Sequence, residues 1–219
     1  MPPMKQASID YSLYLVTDRG LARGRAMLDI VRAAVQGGVT CVQLREKSCA
    51  TREFIEEALA VKEYLRSRGV PLIINDRVDV ALAVGADGVH LGQKDMPLAA
   101  ARAIVTDTMR IGISAESLAD AVAAQQGGAD YLGVSPIFAT PTKTDAAAPL
   151  GLAGLQAIRR AVTIPLVGIG SLNRQNAAAV VRCGADGVAV VSAIVTAEDP
   201  EQAARELLQV IRSARRTWD

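Results

Sequence analysis

Along the 219-residue chain, short apolar runs alternate with longer stretches in which apolar residues recur at three- and four-residue spacing. The short runs are bracketed by Gly, Pro or Asp and read as strands. They fall at 12–18 (SLYLVTD), 41–46, 71–76 (PLIIND), 88–92 (GVHLG), 110–114 (RIGIS), 131–136 (YLGVSP), 165–170 (PLVGIG) and 187–192 (GVAVVS). The stretches between them predict helices at 26–36, 51–67, 79–84, 97–105, 116–126, 153–161, 173–183 and 200–213. Gly37 and Gly38 stop the first helix, and Thr51 is expected to cap the second. Near-continuous apolar strands are what burial on both faces requires. Strict alternation of eight strands with eight helices implies parallel strands and right-handed crossovers. The predicted fold is α/β, a single-domain (β/α)8 TIM barrel over residues 1–219. A doubly wound open sheet is the alternative, but it calls for GxGxxG after the first strand, and none is there.

A weak internal repeat supports the barrel. The chain reads GGVTCVQL at 37–44, VGADGVHL at 84–91, GGADYLGV at 127–134 and CGADGVAV at 183–190. Each copy is a helix stop, a tight turn and a new strand, so each marks the corner that enters a strand at the barrel's N-terminal face. Its fourth position is Thr40, Asp87, Asp130 or Asp186. These side chains are expected to cap turns on the stability face, away from the chemistry.

Composition narrows the classes. Half of the residues are hydrophobic and 21% are charged, enough apolar mass for a large core. A net charge of +1 and 3% aromatic residues give no electrostatic or stacking basis for a nucleic-acid partner. No run approaches the ~18 apolar residues of a membrane span, and residues 1–10 show no secretory h-region. Cys41, Cys49 and Cys183 fit neither a disulfide framework nor a CxxC metal site, so a reducing cytoplasmic setting is expected. The oligomeric state is not legible.

In a barrel the chemistry sits where strands end. Strand 2 runs into Gln43, Leu44, Arg45, Glu46 and Lys47. Alternation puts Gln43, Arg45 and Lys47 on one face, so two cations meet at the mouth and suit an anion. Strand 3 ends with Asn75 and Asp76, and Asp95 follows strand 4 in GQKD. Two carboxylates on adjacent loops suit a hard cation such as Mg2+ shared with phosphate oxygens. Each could instead be a helix N-cap. Ser114 ends strand 5 and reads equally as a helix cap or a ligand contact.

After strand 6, residues 137–150 form the longest loop, with Thr140, Pro141, Thr142 and Lys143 in its polar middle. Hydroxyls beside a lysine suit phosphate. Loops of this length inside a compact domain usually carry function, so this one is expected to be a lid that closes over bound ligands. Gly170 ends strand 7, and Val191 and Ser192 end strand 8, the address of a common barrel phosphate site built from backbone amides. His90, the only histidine, has the opposite parity to Val89 and Leu91, and with no nucleophile paired to it reads as packed or substrate-lining. From these residues alone, two phosphate sites and a metal suggest a transferase that expels pyrophosphate. An isomerase of one doubly phosphorylated substrate also fits.

YLVTD at 14–18, QLREK at 43–47, IND at 74–76, GVHLGQKD at 88–95, GISAES at 112–117, GVSPIFATPTKTDA at 133–146, PLGL at 149–152, GIGS at 168–171 and GVAVVSAI at 187–194 follow one another in register. Together they resemble the thiamine phosphate synthase family over nearly the whole chain. The resemblance implies a (β/α)8 barrel that joins 4-amino-2-methyl-5-hydroxymethylpyrimidine diphosphate to a thiazole phosphate and releases pyrophosphate. It implies that Gln43, Leu44, Arg45, Glu46, Lys47, Asn75, Ser114 and Lys143 hold the pyrimidine diphosphate. Among these, Arg45, Lys47, Lys143 and Ser114 would serve catalysis. Asp76 and Asp95 would bind one Mg2+, and Thr140, Pro141, Thr142, Gly170, Val191 and Ser192 would hold the thiazole phosphate. A thiazole tautomerase-like isomerase and a non-catalytic regulatory barrel are the alternatives. Both predict a damaged diphosphate set, whereas Arg45, Lys47, Asp76, Asp95 and Lys143 are all present.

Overall fold

The computed structural model describes residues 9–139 and 148–215. Among these, eight strands close into a parallel barrel in sequence order: β1 (Leu13–Val16), β2 (Cys41–Leu44), β3 (Leu72–Asn75), β4 (Gly88–Leu91), β5 (Arg110–Ala115), β6 (Tyr131–Val134), β7 (Leu166–Gly168) and β8 (Gly187–Val190). Closure is by β1 against β8, with Leu13 opposite Val188. All eight predicted strands are present. Seven are shorter than predicted, because the ladder pairs only the central residues and releases the polar ends into the loops above, and β5 runs one residue further, to Ala115.

Nine helices surround the barrel among the described residues: α1 (Met27–Gln36), α2 (Thr51–Arg66), α3 (Val78–Val84), α4 (Leu98–Ile104), α5 (Leu118–Gln126), α6 (Gly151–Ala161), α7 (Ala177–Arg182), α8 (Ser192–Val195) and α9 (Pro200–Arg215). The short α8 is the one that the hydrophobic pattern misses. It begins at Ser192, which the pattern assigns to strand 8. Thr51 is another correction. It is the first residue of α2, Ala50 occupies the cap position, and the Thr51 hydroxyl accepts from Arg77 instead. No described helix is long and apolar enough to cross a membrane.

Two apolar layers follow from strand alternation. Leu13, Leu15, Val42, Leu44, Leu72 and Ile74 face outward into the helix layer. Tyr14, Val16, Cys41, Ile73, Tyr131, Val167 and Ala189 face inward and fill the barrel. Both faces are dry, which is why the strands read as unbroken apolar runs. One end stays open, and there the inward positions turn polar.

The repeated fourth position does at each corner what the sequence suggests. Thr40 Oγ1, Asp87 Oδ2, Asp130 Oδ2 and Asp186 Oδ2 accept from the backbone N–H of Leu13, Leu72, Ile111 and Leu166, at 3.0, 2.8, 2.8 and 2.8 Å. Each bond ties the entry of an odd-numbered strand to the corner before its even-numbered neighbour, at the end of the barrel opposite the mouth.

Asp130 is the most embedded of the four, with Arg102 and Arg110 also on its carboxylate. Burial pushes its pKa up, but the Ile111 N–H and the two guanidinium groups outweigh that and hold it below the usual carboxylate range. A depressed folded-state pKa adds stability that is fully present above the ordinary aspartate range and is lost as pH falls through the folded value. Asp130→Asn is therefore expected to lower stability by about 1–3 kcal/mol at neutral pH. The gap to the parent should narrow towards pH 3. Denaturant titrations at both pH values check it, and a pH-independent gap would show that the charge is not what the site uses.

Candidate active site

The open end of the barrel encloses a cavity of about 490 Å³ at the C-terminal ends of the strands. Gln43, Arg45 and Lys47 line it from one face of β2 and its extension, as alternation requires. Leu44 and Glu46 have the opposite parity and do not line it. Leu44 packs in the outer core, and the Glu46 carboxylate, 1% exposed, is held by Arg19 at 2.9 Å. Of the QLREK run, the structure therefore brings three side chains to the mouth and turns two away.

Arg45 is fixed on two sides. Its backbone N–H donates to Thr17 Oγ1 at 2.9 Å, and its guanidinium pairs with Asp18 at 2.7 Å. Lys47 pairs with Asp76 across the rim while its side chain stays 53% exposed. Among the described residues Asp76 is one of three non-glycine residues with positive φ, at 61°. Asp tolerates the left-handed region better than most residues, yet a non-glycine there stores strain. The strain is held by the Asp76 N–H donating to the His90 carbonyl at 2.8 Å, which locks the turn to the end of β4.

Asp95 folds back over β4. Its Oδ2 accepts from the Gly92 N–H at 2.7 Å, and a Cβ on Gly92 would sit 2.9 Å from that oxygen. Burial raises the Asp95 pKa, and its hydrogen bond with Asp76 raises it further, against the opposing pull of the Gly92 N–H and Lys47. Two carboxyl groups this close form a site suited to a cation, which favours the charged form of both. Neither is a helix cap: Arg77 and Pro97 hold the cap positions of α3 and α4. Ser114 is not a cap either, since Ser117 accepts from Asp120 N–H at the start of α5 while Ser114 faces the cavity.

No cluster of three or more His, Cys, Asp or Glu residues suited to a metal occurs among the described residues. Two carboxylates alone suit Mg2+, which keeps several sites for water or phosphate oxygens. Beside them Asn75 Nδ2 is buried, lines the cavity and finds no hydrogen-bond partner among the described residues. A buried donor without an acceptor is costly unless a ligand supplies one.

The opposite rim is formed by Gly170, Ser171, Val191 and Ser192. Gly170 has φ 116°, and a Cβ there would sit 2.9 Å from both the Ile137 nitrogen and Pro136. Only glycine lets the loops after β6 and β7 approach so closely. Ile137 N–H donates to Ile169 O at 2.8 Å, and the Ser171 hydroxyl to Ala139 O at 2.6 Å. Thr140, Pro141, Thr142 and Lys143, with the lid expected of this loop, lie outside the described residues.

Sequence reasoning did not single out Asp18, Tyr14 or Tyr131. Asp18 carried the signal that identified Arg45, a polar residue just past an apolar strand. The two tyrosines occupy inward positions, but strands buried on both faces do not reveal which parity points inward.

The family model described as thiamine monophosphate synthase matches residues 13–194. A thiamine-phosphate synthase of Chloroflexus aurantiacus is 58% identical over 203 residues, covering 93% of this chain and 94% of the relative. One from Albidiferax ferrireducens is also 58% identical, over 199 residues and 91% of each chain. The solved thiamine phosphate pyrophosphorylase from Pyrococcus furiosus superposes with a TM-score of 0.88 at 41% identity, covering 94% of this chain and 98% of that one.

Proposed function

The chain belongs to the thiamine monophosphate synthase family, and from that premise we propose that it joins 4-amino-2-methyl-5-hydroxymethylpyrimidine diphosphate to a thiazole phosphate, releasing pyrophosphate. The observation that carries this reading is the convergence on one rim of Arg45, Lys47, the Asn75 Nδ2 that has no partner among the described residues, and the Asp76 and Asp95 carboxyl groups. That donor set matches a diphosphate with a divalent cation. A cytoplasmic setting belongs to the same reading, supported by three free cysteines.

Asp76 and Asp95 would hold Mg2+, which when bound supplies positive charge to the departing pyrophosphate. Arg45 and Lys47 do the rest of that work. They would face the charge that grows as the carbon–oxygen bond breaks, and Asp18 holds Arg45 in place for it. The electron-rich aminopyrimidine ring tolerates a dissociative step. The thiazole nitrogen already has a lone pair, so its attack needs no base. The glycine-rich rim at Gly170 and the amides at Val191 and Ser192 would seat the thiazole phosphate opposite the diphosphate, leaving the two reacting atoms between them.

The test is pyrophosphate release with both substrates and Mg2+. Release that requires both substrates supports the reading, and isomerisation of a thiazole phosphate alone would replace it. The two-rim arrangement has its own check. Lys47→Ala is expected to weaken the pyrimidine diphosphate roughly tenfold, the scale of one charge-assisted contact, and leave the thiazole phosphate nearly unchanged. Ser192→Ala should do the reverse and less strongly, since backbone amides survive the change. Separate calorimetric titrations decide it, and equal effects on both ligands would refute the map.

A further inference from the structure

Five side chains from five strands form a continuous hydrogen-bonded row across the base of the cavity. Gln43 Nε2 donates to Tyr14 Oη at 2.9 Å, and the Tyr14 and Tyr131 hydroxyls lie 2.9 Å apart. Tyr131 Oη is 3.0 Å from His90 Nδ1, and His90 Nε2 is 3.0 Å from Ser114 Oγ. Both phenols are buried, and burial pushes their pKa values well above the usual range, so each keeps its proton.

The barrel omits side chains to seat this row. A Cβ on Gly112 would lie 2.1 Å from Tyr131 Cζ, and one on Gly133 would lie 2.9 Å from His90 Cε1. Glycine weakens a strand interior and often marks a close approach. Here two adjacent strands each give up a side chain, one for the tyrosine ring and one for the imidazole.

The proton order follows from counting donors. Tyr14 Oη accepts from Gln43 and has one proton to give. Tyr131 Oη is a better acceptor for it than the neighbouring Cys41 sulfur. Tyr131 then gives its own proton to His90 Nδ1. That leaves the imidazole proton on Nε2, donated to Ser114 Oγ, and the Ser114 proton directed towards the cavity.

We propose that this row has a single proton order, that it holds His90 as the Nε2–H tautomer, and that Ser114 thereby meets the pyrimidine substrate as a hydrogen-bond donor. Tyr14, Tyr131 and His90 are positioning residues acting through Ser114. Only the clause on the substrate rests on the function proposed above.

His90 is the sole histidine, so 15N-histidine labelling of tag-free protein gives one imidazole to read. Two-bond nitrogen–proton correlation on the ligand-free protein is expected to show Nε2 protonated and Nδ1 bare. An Nδ1–H ring, or a doubly protonated one, would overturn the proton order. Tyr131→Phe removes the donor to Nδ1 and is expected to abolish the tautomer preference and raise the KM for the pyrimidine diphosphate about tenfold. In a Ser114→Ala background the same change should add nothing further. Additive losses would refute action through Ser114. Tyr14→Phe breaks the row one step earlier and serves if Tyr131→Phe does not fold. Should the wild-type protein release no pyrophosphate, the substrate clause falls, while the tautomer measurement still decides the row.

Discussion

Asp76→Asn and Asp95→Ala are each expected to lower kcat/KM for pyrophosphate release by roughly 30- to 1,000-fold, about 2–4 kcal/mol of transition-state stabilisation. Both should also raise the Mg2+ concentration needed for half-maximal rate. The basis is the placing of both carboxyl groups on one rim of the cavity and the left-handed turn that presents Asp76. Asn at position 76 is the cleaner substitution, because it also tolerates that backbone region while removing the charge. Asp95→Ala in addition removes the acceptor of the Gly92 N–H. Steady-state assays across a Mg2+ series, alongside thermal denaturation, separate the effects. Wild-type kinetics and metal dependence in correctly folded variants would reduce the pair to a structural contact.

Gly112→Ala should be a strongly damaging single-methyl change in the barrel interior. The added carbon would lie 2.1 Å from Tyr131 Cζ and 2.5 Å from its hydroxyl. That ring is fully buried and packs, tilted by 30°, against Tyr11 at 4.6 Å between centroids, so it cannot swing aside without dislodging a second aromatic residue. Overpacking of this kind reaches about 3 kcal/mol. At this chain length that is a fall in Tm of roughly 6–12 °C. Activity should fall further than stability explains, since the displaced phenol sits between Tyr14 and His90. An unchanged Tm would mean that the interior is looser than its contacts indicate.

The barrel was legible because its signals are local. Apolar runs, helix periodicity and glycine stops each act over a few residues, and their alternation leaves a barrel or a doubly wound sheet, between which the missing GxGxxG decides. The GAD corners were legible for the same reason, an acceptor at a fixed offset from a turn. The mouth was legible where polar residues break an apolar strand, as at Arg45, Asn75 and Ser114. Three kinds of feature were hidden. Leu44 and Glu46 share a motif with residues of the site, and only the strand's pleat separates them. Tyr14, Tyr131 and His90 meet through barrel closure, at sequence separations of 117 and 41 residues that no window spans. The helix start at Ser192 was hidden too, because a four-residue helix carries no period of its own.

The four corner ties have a consequence for assembly. Their partners are 27, 15, 19 and 20 residues apart, so each odd strand finds its neighbour's corner through a short chain segment. Closing such loops costs little conformational entropy. Strand register can thus be set in four separate quarters, none of which needs the complete circle. What remains is one distant seam, where Leu13 meets Val188. There Arg215 at the end of α9 donates to Ser12 and to the carbonyl of Asp186, one residue on each side of the join. The topological difficulty of a closed parallel sheet is gathered into that single suture, and Arg215 fastens it.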